Sequence, residues 1–336
     1  MYTKIFYSST PGKKGQREAN AKADAWLNSD ITDASARVSS LYTKFLQSAK
    51  LRTSTGNVKK LQSFYNTWLG PAIGNKKIAD VTEVHLQNII DTAYSKKKLS
   101  KKTLQNFRAD ISAFIKFCRK LKVTTLIPED LTIPKGSRYK GKTIVQPSAL
   151  PTLFSSDKTI YRNKEVFDEY IYAYRFAVLT GLRPGELLGL TPNDVKNNIV
   201  SVKRSINKDG EITTGKNDNA IRHFTLSAHA AAVYAQQRAY KPFAKYLFDI
   251  PTQKKLYHAW HRYCDYNNIP LTSLYELRHT FVSISAKLPE NHIKALVGHS
   301  KSMDTYGVYA HELENEAAEI AQEVTEIFNN LLTKNA

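Results

Sequence analysis

The sequence predicts a mainly α protein of two domains: an N-terminal four-helix domain, then an α+β domain whose helices carry a small three-stranded antiparallel sheet. Three observations support this. The chain has 336 residues, long for one core and ample for two. Residues 33–122 place apolar side chains at helical spacing, whereas beyond Ser148 helical stretches surround three short alternating runs between 199 and 226. Between these regions, 128–150 is rich in proline, glycine and basic residues, the composition of a linker.

Taken in order, residues 1–32 offer a short strand at Lys4–Tyr7 and an alanine-rich helix at Arg17–Leu27. A disordered leader with a stray helix fits the same residues. From 33 to 127, Val38, Leu41, Phe45 and Ala49 define a first helix. Leu61, Tyr65 and Trp68 define a second, which Gly70-Pro71 and Gly74 break. Thr82 opens a third through Leu86, Ile89 and Ile90. Ser100 caps a fourth whose apolar face is Leu104, Phe107, Ile111, Phe114 and Cys118. In the region 151–311, Glu165–Leu182 is predicted as an apolar helix stopped by Gly181. Ile199–Arg204, Glu211–Thr214 and Ile221–Leu226 are predicted as strands, joined by turns at Lys208-Asp-Gly210 and Gly215–Asn219. Helices follow at Ala228–Tyr240, Thr252–Asn267, Ser273–Lys287 and Glu290–Leu296. A last one, Glu312–Leu332 within 312–336, has a stripe of Leu313, Ala317, Ile320, Val324, Ile327 and Leu331.

A formal net charge of +19 makes a polyanion the first partner to consider. Residues 1–135 hold 24 Lys+Arg against 10 Asp+Glu. That one-signed excess recurs on several helices, at Lys59, Lys60, Lys101, Lys102 and Arg108, and continues into the linker at Arg138, Lys140 and Lys142. It suits contact with DNA phosphates, which position a protein without reading sequence. Two cysteines give no disulfide framework, and no apolar leader follows the N-terminus, so a reducing, cytoplasmic setting without a membrane is expected.

Two patterns mislead. Gly136-Ser-Arg-Tyr-Lys-Gly-Lys-Thr143 matches the phosphate-binding loop G-x-x-x-x-G-K-[ST], yet Pro134 precedes it and Pro147 disrupts the helix that such a loop must enter. His258, His261 and Cys264 have part of a zinc site's ligand types but no evident fourth ligand, and no metal is expected.

The chemistry-bearing residues lie in three stretches: Thr180-Gly-Leu-Arg-Pro-Gly-Glu186, Tyr275-Glu-Leu-Arg-His279, and Leu296 to His311, where Gly298-His299 precedes Tyr309 by ten residues. Arginine suits a phosphate because its planar fork gives two parallel hydrogen bonds and keeps its proton. In this order the motifs resemble the tyrosine recombinase (phage integrase) family. The resemblance spans about 33–332, with its specific motifs confined to 180–311.

The resemblance implies a fold and a set of roles. Residues 33–127 correspond to a SAM-like core-binding domain and 151–311 to the catalytic domain. Residues 1–32 look like the tail end of the arm-type DNA-binding domain found in larger integrases. Arg183, Arg278 and His299 would hold the scissile phosphate. Lys216, on the predicted hairpin turn, would be the general acid, and Tyr309, rather than Tyr306, the nucleophile. Glu186 matches an acidic position that orients its neighbours. The family most often has His-x-x-Arg where this chain has Tyr275-Glu-Leu-Arg278; Tyr275 is expected to donate a hydrogen bond there, with His279 as support, although a packing role fits Tyr275 too.

No metal, ATP or other cofactor is implied, because cations neutralise the phosphate and the phosphotyrosine bond conserves its energy. The implied partners are double-stranded DNA at a recombination core site, a homotetramer joined through the C-terminal helix, and host or element-encoded directionality proteins. That helix folding back on its own domain is the alternative. The expected activity is strand exchange for a bacterial mobile element, on nucleoid DNA. Two rivals remain open: a type IB topoisomerase-like relaxing enzyme and a noncatalytic DNA-binding protein of the same fold.

Overall fold

A computed structural model describes residues 7–29, 35–139, 141–213, 221–298 and 316–333. The chain divides into two compact units, 1–141 and 142–336, each with its own apolar core.

In the first unit, α1 (Gly12–Ser29) contains the predicted Arg17–Leu27 helix. Most of the predicted Lys4–Tyr7 strand lies outside the described residues. The next helices are α2 (Val38–Lys50), α3 (Thr55–Phe64), α4 (Gly70–Ile73), α5 (Glu83–Lys97) and α6 (Lys101–Lys120). Leu41, Leu86, Ile90, Leu104, Ile111, Phe114 and Cys118 are all buried in the core, which realises the predicted apolar faces. Ser100 caps α6 by accepting from the Thr103 N–H.

Gly70-Pro71 does not break the chain as expected. A π-turn over Tyr65–Leu69 joins α3 to α4, with the Gly70 N–H bonded back to the Tyr65 carbonyl. Pro71 lacks an N–H, and the wider turn places it at the start of α4, where none is needed. Leu61, Phe64 and Leu69 are buried here, and the expected Tyr65 and Trp68 pack half-buried against the same core.

The second unit opens with α7 (Leu150–Ser155) and a hairpin, β1 (Lys158–Tyr161) and β2 (Lys164–Phe167). The predicted helix from Glu165 is therefore wrong in its first turns. Arg162 and Asn163 both have positive φ (50° and 59°), which closes a two-residue turn. Asp168 accepts from the Tyr170 N–H, and helix begins only at α8 (Ile171–Thr180). After α9 (Pro184–Gly189) come β3 (Val195–Lys196), β4 (Ile199–Val202), β5 (Ser205–Ile206), β6 (Ile212–Thr213) and β7 (Arg222–Thr225).

The three-stranded sheet is real, but its membership differs from the expectation. Its order is β3-β4-β7, while β5 and β6 pair as a separate two-stranded hairpin. The overlooked β3 reverses into β4 through Asn197-Asn198, both at positive φ (51° and 62°). Four helices follow, α10 (Ala228–Tyr240), α11 (Gln253–Tyr266), α12 (Leu274–Ile284) and α13 (Glu290–Val297), then α14 (Glu316–Thr333).

The last helix buries Ile320, Ala321, Val324 and Phe328 in the core of its own unit. Thr325 Oγ1 accepts from the Ala228 N–H at 2.9 Å, and Phe328 lies against Phe154. In the single chain the stripe is thus covered in place rather than presented to a neighbour. Leu313, the first residue of the predicted stripe, lies outside the described residues.

Candidate active site

α8 ends at Gly181, whose φ of +63° suits a residue without a side chain. An added Cβ would lie 2.5 Å from the Phe281 ring. This turn aims the Gly181 carbonyl at Arg278, whose Nη1 donates to it at 2.9 Å. Three residues on, Pro184 at the head of α9 sets up a tight start. Glu186 accepts there from the Arg183 N–H at 3.0 Å and from Arg183 Nη1 at 2.7 Å.

Glu186 also holds a second guanidinium. Arg222, on β7, donates Nη1 and Nη2 to the two Glu186 oxygens at 3.1 and 2.9 Å, and its Nε to the Leu296 carbonyl at 2.8 Å. The sequence reading missed Arg222. Its signal was strand alternation, because Arg222, Phe224 and Leu226 share the inward face of their strand. A charge on an inward face needs a partner. Burial alone would raise the Glu186 pKa, but the bonds and charge of Arg222 and the bonds from Arg183 outweigh it, and the carboxyl is held below its usual value.

Arg278 is 2% exposed. Burial, and next the charge of Arg183, bring its pKa down to about 10. Among the described residues, its Nη2 is buried without a hydrogen-bond partner. Three guanidinium groups therefore share a corner with one carboxylate, and one donor is left over. The arrangement can accept an anion, and a phosphate oxygen suits it.

α12 presents the departing motif. Tyr275 is 42% exposed, and His279, one turn on, lies 5.2 Å away edge to face. The two do share a helix face, as their spacing predicts. Among the described residues His279 Nε2 is buried without a partner, and burial, then the charge of Lys142, lowers its pKa. Ser273 starts the helix, its N–H donating to Glu276 Oε2.

α13 stops at Gly298, again at φ +63°. Arg183 Nη2 donates to the Gly298 carbonyl at 3.0 Å. The backbone immediately before His299 is thus tied to both Arg183 and Arg222. Lys216, His299, Tyr306, Tyr309 and His311 themselves lie outside the described residues.

The predicted DNA-contacting cations of the first unit also hold structural bonds. Lys60 pairs with buried Asp110 at 3.2 Å. Arg108 Nη1 donates to the Leu131 carbonyl. Lys101 sits 5.4 Å over the Tyr139 ring, and its N–H meets the Arg138 carbonyl. Lys59, Lys102, Arg138 and Lys142 are exposed; Lys140 lies outside the described residues.

The two misleading patterns fail structurally. Around Gly136 the described chain forms a turn and irregular backbone, and the first helical residues after it begin at Pro147. On α11, His258 is exposed while Cys264 is buried, since six helical steps turn the face by about 240°. Burial also pushes the Cys264 thiol up to about 12.

Known proteins resemble the chain along most of its length. The model of the phage integrase family matches residues 148–316, and that of the phage integrase N-terminal SAM-like domain matches 38–94. The ICEBs1 integrase of Bacillus subtilis is 26% identical over 176 residues, covering 46% of this chain and 48% of that protein. The chain therefore spans about half the length of that curated relative. Among solved structures, a Tn1549 transposon integrase in complex with circular-intermediate DNA superposes with a TM-score of 0.68 at 18% identity, covering 84% of this chain and 98% of that one. A lambda integrase tetramer bound to a Holliday junction gives 0.61 at 11%, covering 92% and 86%. These likenesses show a shared fold. Among the described residues, no helix is long and apolar enough to cross a membrane.

Proposed function

The chain belongs to the phage integrase family, and from that premise we propose that it is a site-specific DNA recombinase of a bacterial mobile element. It acts in the cytoplasm on nucleoid DNA and cuts and rejoins strands through a 3′-phosphotyrosine. The observation that carries this reading is the corner in which Arg183, Arg222 and Arg278 surround Glu186, with Arg278 Nη2 still unpartnered. Such a site holds positive surplus in place before substrate arrives, as stabilising a phosphoryl transition state requires.

Arg183, Arg278 and His299 bind the nonbridging oxygens of the scissile phosphate, and Tyr275 adds a phenolic donor beside them. His279 supports the Tyr275 ring. The Tyr309 phenol gives up its proton to solvent as it attacks phosphorus and forms a new P–O bond. The bond to the 5′ oxygen breaks, and that oxygen takes a proton from Lys216. Attack by the 5′-hydroxyl of a partner strand reverses the step. One phosphodiester replaces another throughout, so ATP is not consumed.

Residues 33–127 grip the duplex through their lysine-rich faces, 128–150 tether the two parts along it, and 151–311 carry the chemistry. Helix 312–336, seated on its own unit in the single chain, leaves that seat to join subunits in a tetramer. The lambda tetramer on a four-way junction supports that assembly. Directionality proteins would act on this complex.

A nicked suicide substrate containing the cognate site tests the reading. The parent and Tyr306→Phe are expected to form a covalent protein–DNA adduct, and Tyr309→Phe none. A gel shift from the parent without any adduct would indicate a binding module instead. Relaxation of supercoiled DNA independent of site and without a tetramer would indicate a topoisomerase.

A further inference from the structure

Residues 142–145 form a short strap laid against α12. The Thr143 N–H donates to Glu276 Oε1 at 3.0 Å, and the Val145 N–H donates to Thr280 Oγ1 at 2.9 Å. The spacings match: alternate amides of an extended segment face one way, and positions four apart on a helix lie on one face. Glu276 uses its other oxygen to accept from the Ser273 N–H, and Thr280 donates to the Glu276 carbonyl, so the strap joins the same network that starts the helix. The Val145 side chain is wholly buried and anchors the strap's far end. Burial opposes ionisation of Glu276, but the bonds from Ser273 and Thr143 prevail and hold its carboxyl at about 2. It is therefore a charged acceptor across the working pH range.

Glu276 lies between Tyr275 and Arg278, so the strap is fixed to the helix that carries both. Lys142 immediately precedes the first bonded amide. It is exposed, and its charge reaches His279. We propose that Lys142 is a DNA-contacting cation of the cleavage pocket, aimed at the backbone phosphate beside the Tyr275–His279 corner, and that Glu276 and Thr280 are positioning residues acting through it. This rests on the recombinase reading. It gives the strap a role in substrate binding that a flexible tether would not have.

The test is a double-mutant cycle in the full chain, read as single-turnover cleavage of the nicked substrate at saturating protein. Lys142→Ala should slow adduct formation about tenfold to a hundredfold, and Lys142→Arg should restore most of it. Glu276→Ala should slow the reaction to a similar degree. The double variant should be no slower than the slower single, since the residues act as one unit. If the two defects multiply, Glu276 does not act through Lys142, and the inference fails. It also fails if Lys142→Ala cleaves at the parental rate.

Thermal melting confirms that α12 remains folded. Should Glu276→Ala unfold, Thr280→Val, which removes the acceptor for Val145 together with the hydroxyl's bond to the Glu276 carbonyl, replaces it in the cycle. Lys142 is exposed, so its own substitution reads out in either case. No adduct from the parent would overturn the recombinase reading, whereas an adduct indifferent to Lys142 overturns only this one.

Discussion

Asp168 shows how a buried residue far from the arginine corner sets pH behaviour. It is 2% exposed, and burial pushes its carboxyl up to about 6, against the pull of the Tyr170 N–H and the Arg262 charge. An unfolded aspartate titrates near 3.8. The folded state therefore holds the proton more tightly, and stability falls as pH rises from about 4 through about 6. Asp168→Asn keeps an acceptor for Tyr170 and removes the charge. It should stabilise the chain at pH 8 by about 2–3 kcal/mol and at pH 4 hardly at all. Chemical denaturation at the two values checks this, and an equal effect at both would refute it. At the same scale, Arg183, Glu186 and Arg278 were legible because each sits in a stretch with a distinctive neighbour. Arg222 was not, since nothing in Ile221–Leu226 names the distant carboxylate that its inward-facing charge requires.

Turns account for most differences between the predicted and observed elements. A helix with strong apolar periodicity and a good cap, such as α6, could be read from its start, and α10 has the bounds expected of it. The hairpin β1–β2 could not, because Arg162-Asn163 is not a turn pair that stands out, although both residues adopt positive φ. Asn197-Asn198 was a fairer signal that went unread. The π-turn before Pro71 defeats any reading that assumes a constant 3.6-residue step. One turn has a direct bearing on the site. Gly181→Ala combines a left-handed backbone with a Cβ 2.5 Å from Phe281, so it should destabilise the second unit by about 1–3 kcal/mol. It should also displace the carbonyl that holds Arg278 and lower cleavage more than the stability loss explains. Melting together with adduct yield on the suicide substrate, measured well below the midpoint, separates the two effects.

At the scale of the whole molecule, a formal charge of +19 would dominate the proposed encounter with DNA. Affinity should fall steeply with salt, by roughly 10³-fold or more between 50 and 200 mM if six or more phosphates are neutralised. Lys59→Gln and Lys102→Gln should each reduce the slope of log affinity against log salt by about 1 while leaving sequence preference unchanged. Fluorescence titration over a salt series measures this; an unaltered slope would place those lysines away from the duplex. The division into two units was legible from composition, as was the basic excess of the first.

Two fixed points described above also bound how far a nucleophile can travel. Gly298 is tied by Arg183, and α14 is seated on its own unit from Glu316 onward. Tyr309 lies eleven chain steps after Gly298 and seven before Glu316. At full extension those leashes measure about 36–40 Å and about 23–25 Å. On the proposed reading the shorter one governs: while α14 keeps its seat, the Cα of Tyr309 stays within about 25 Å of Glu316, and its phenol reaches only a side-chain length farther. Reaching a neighbour's DNA beyond that radius requires the helix to leave with it, so subunit exchange and nucleophile range become a single mechanical variable.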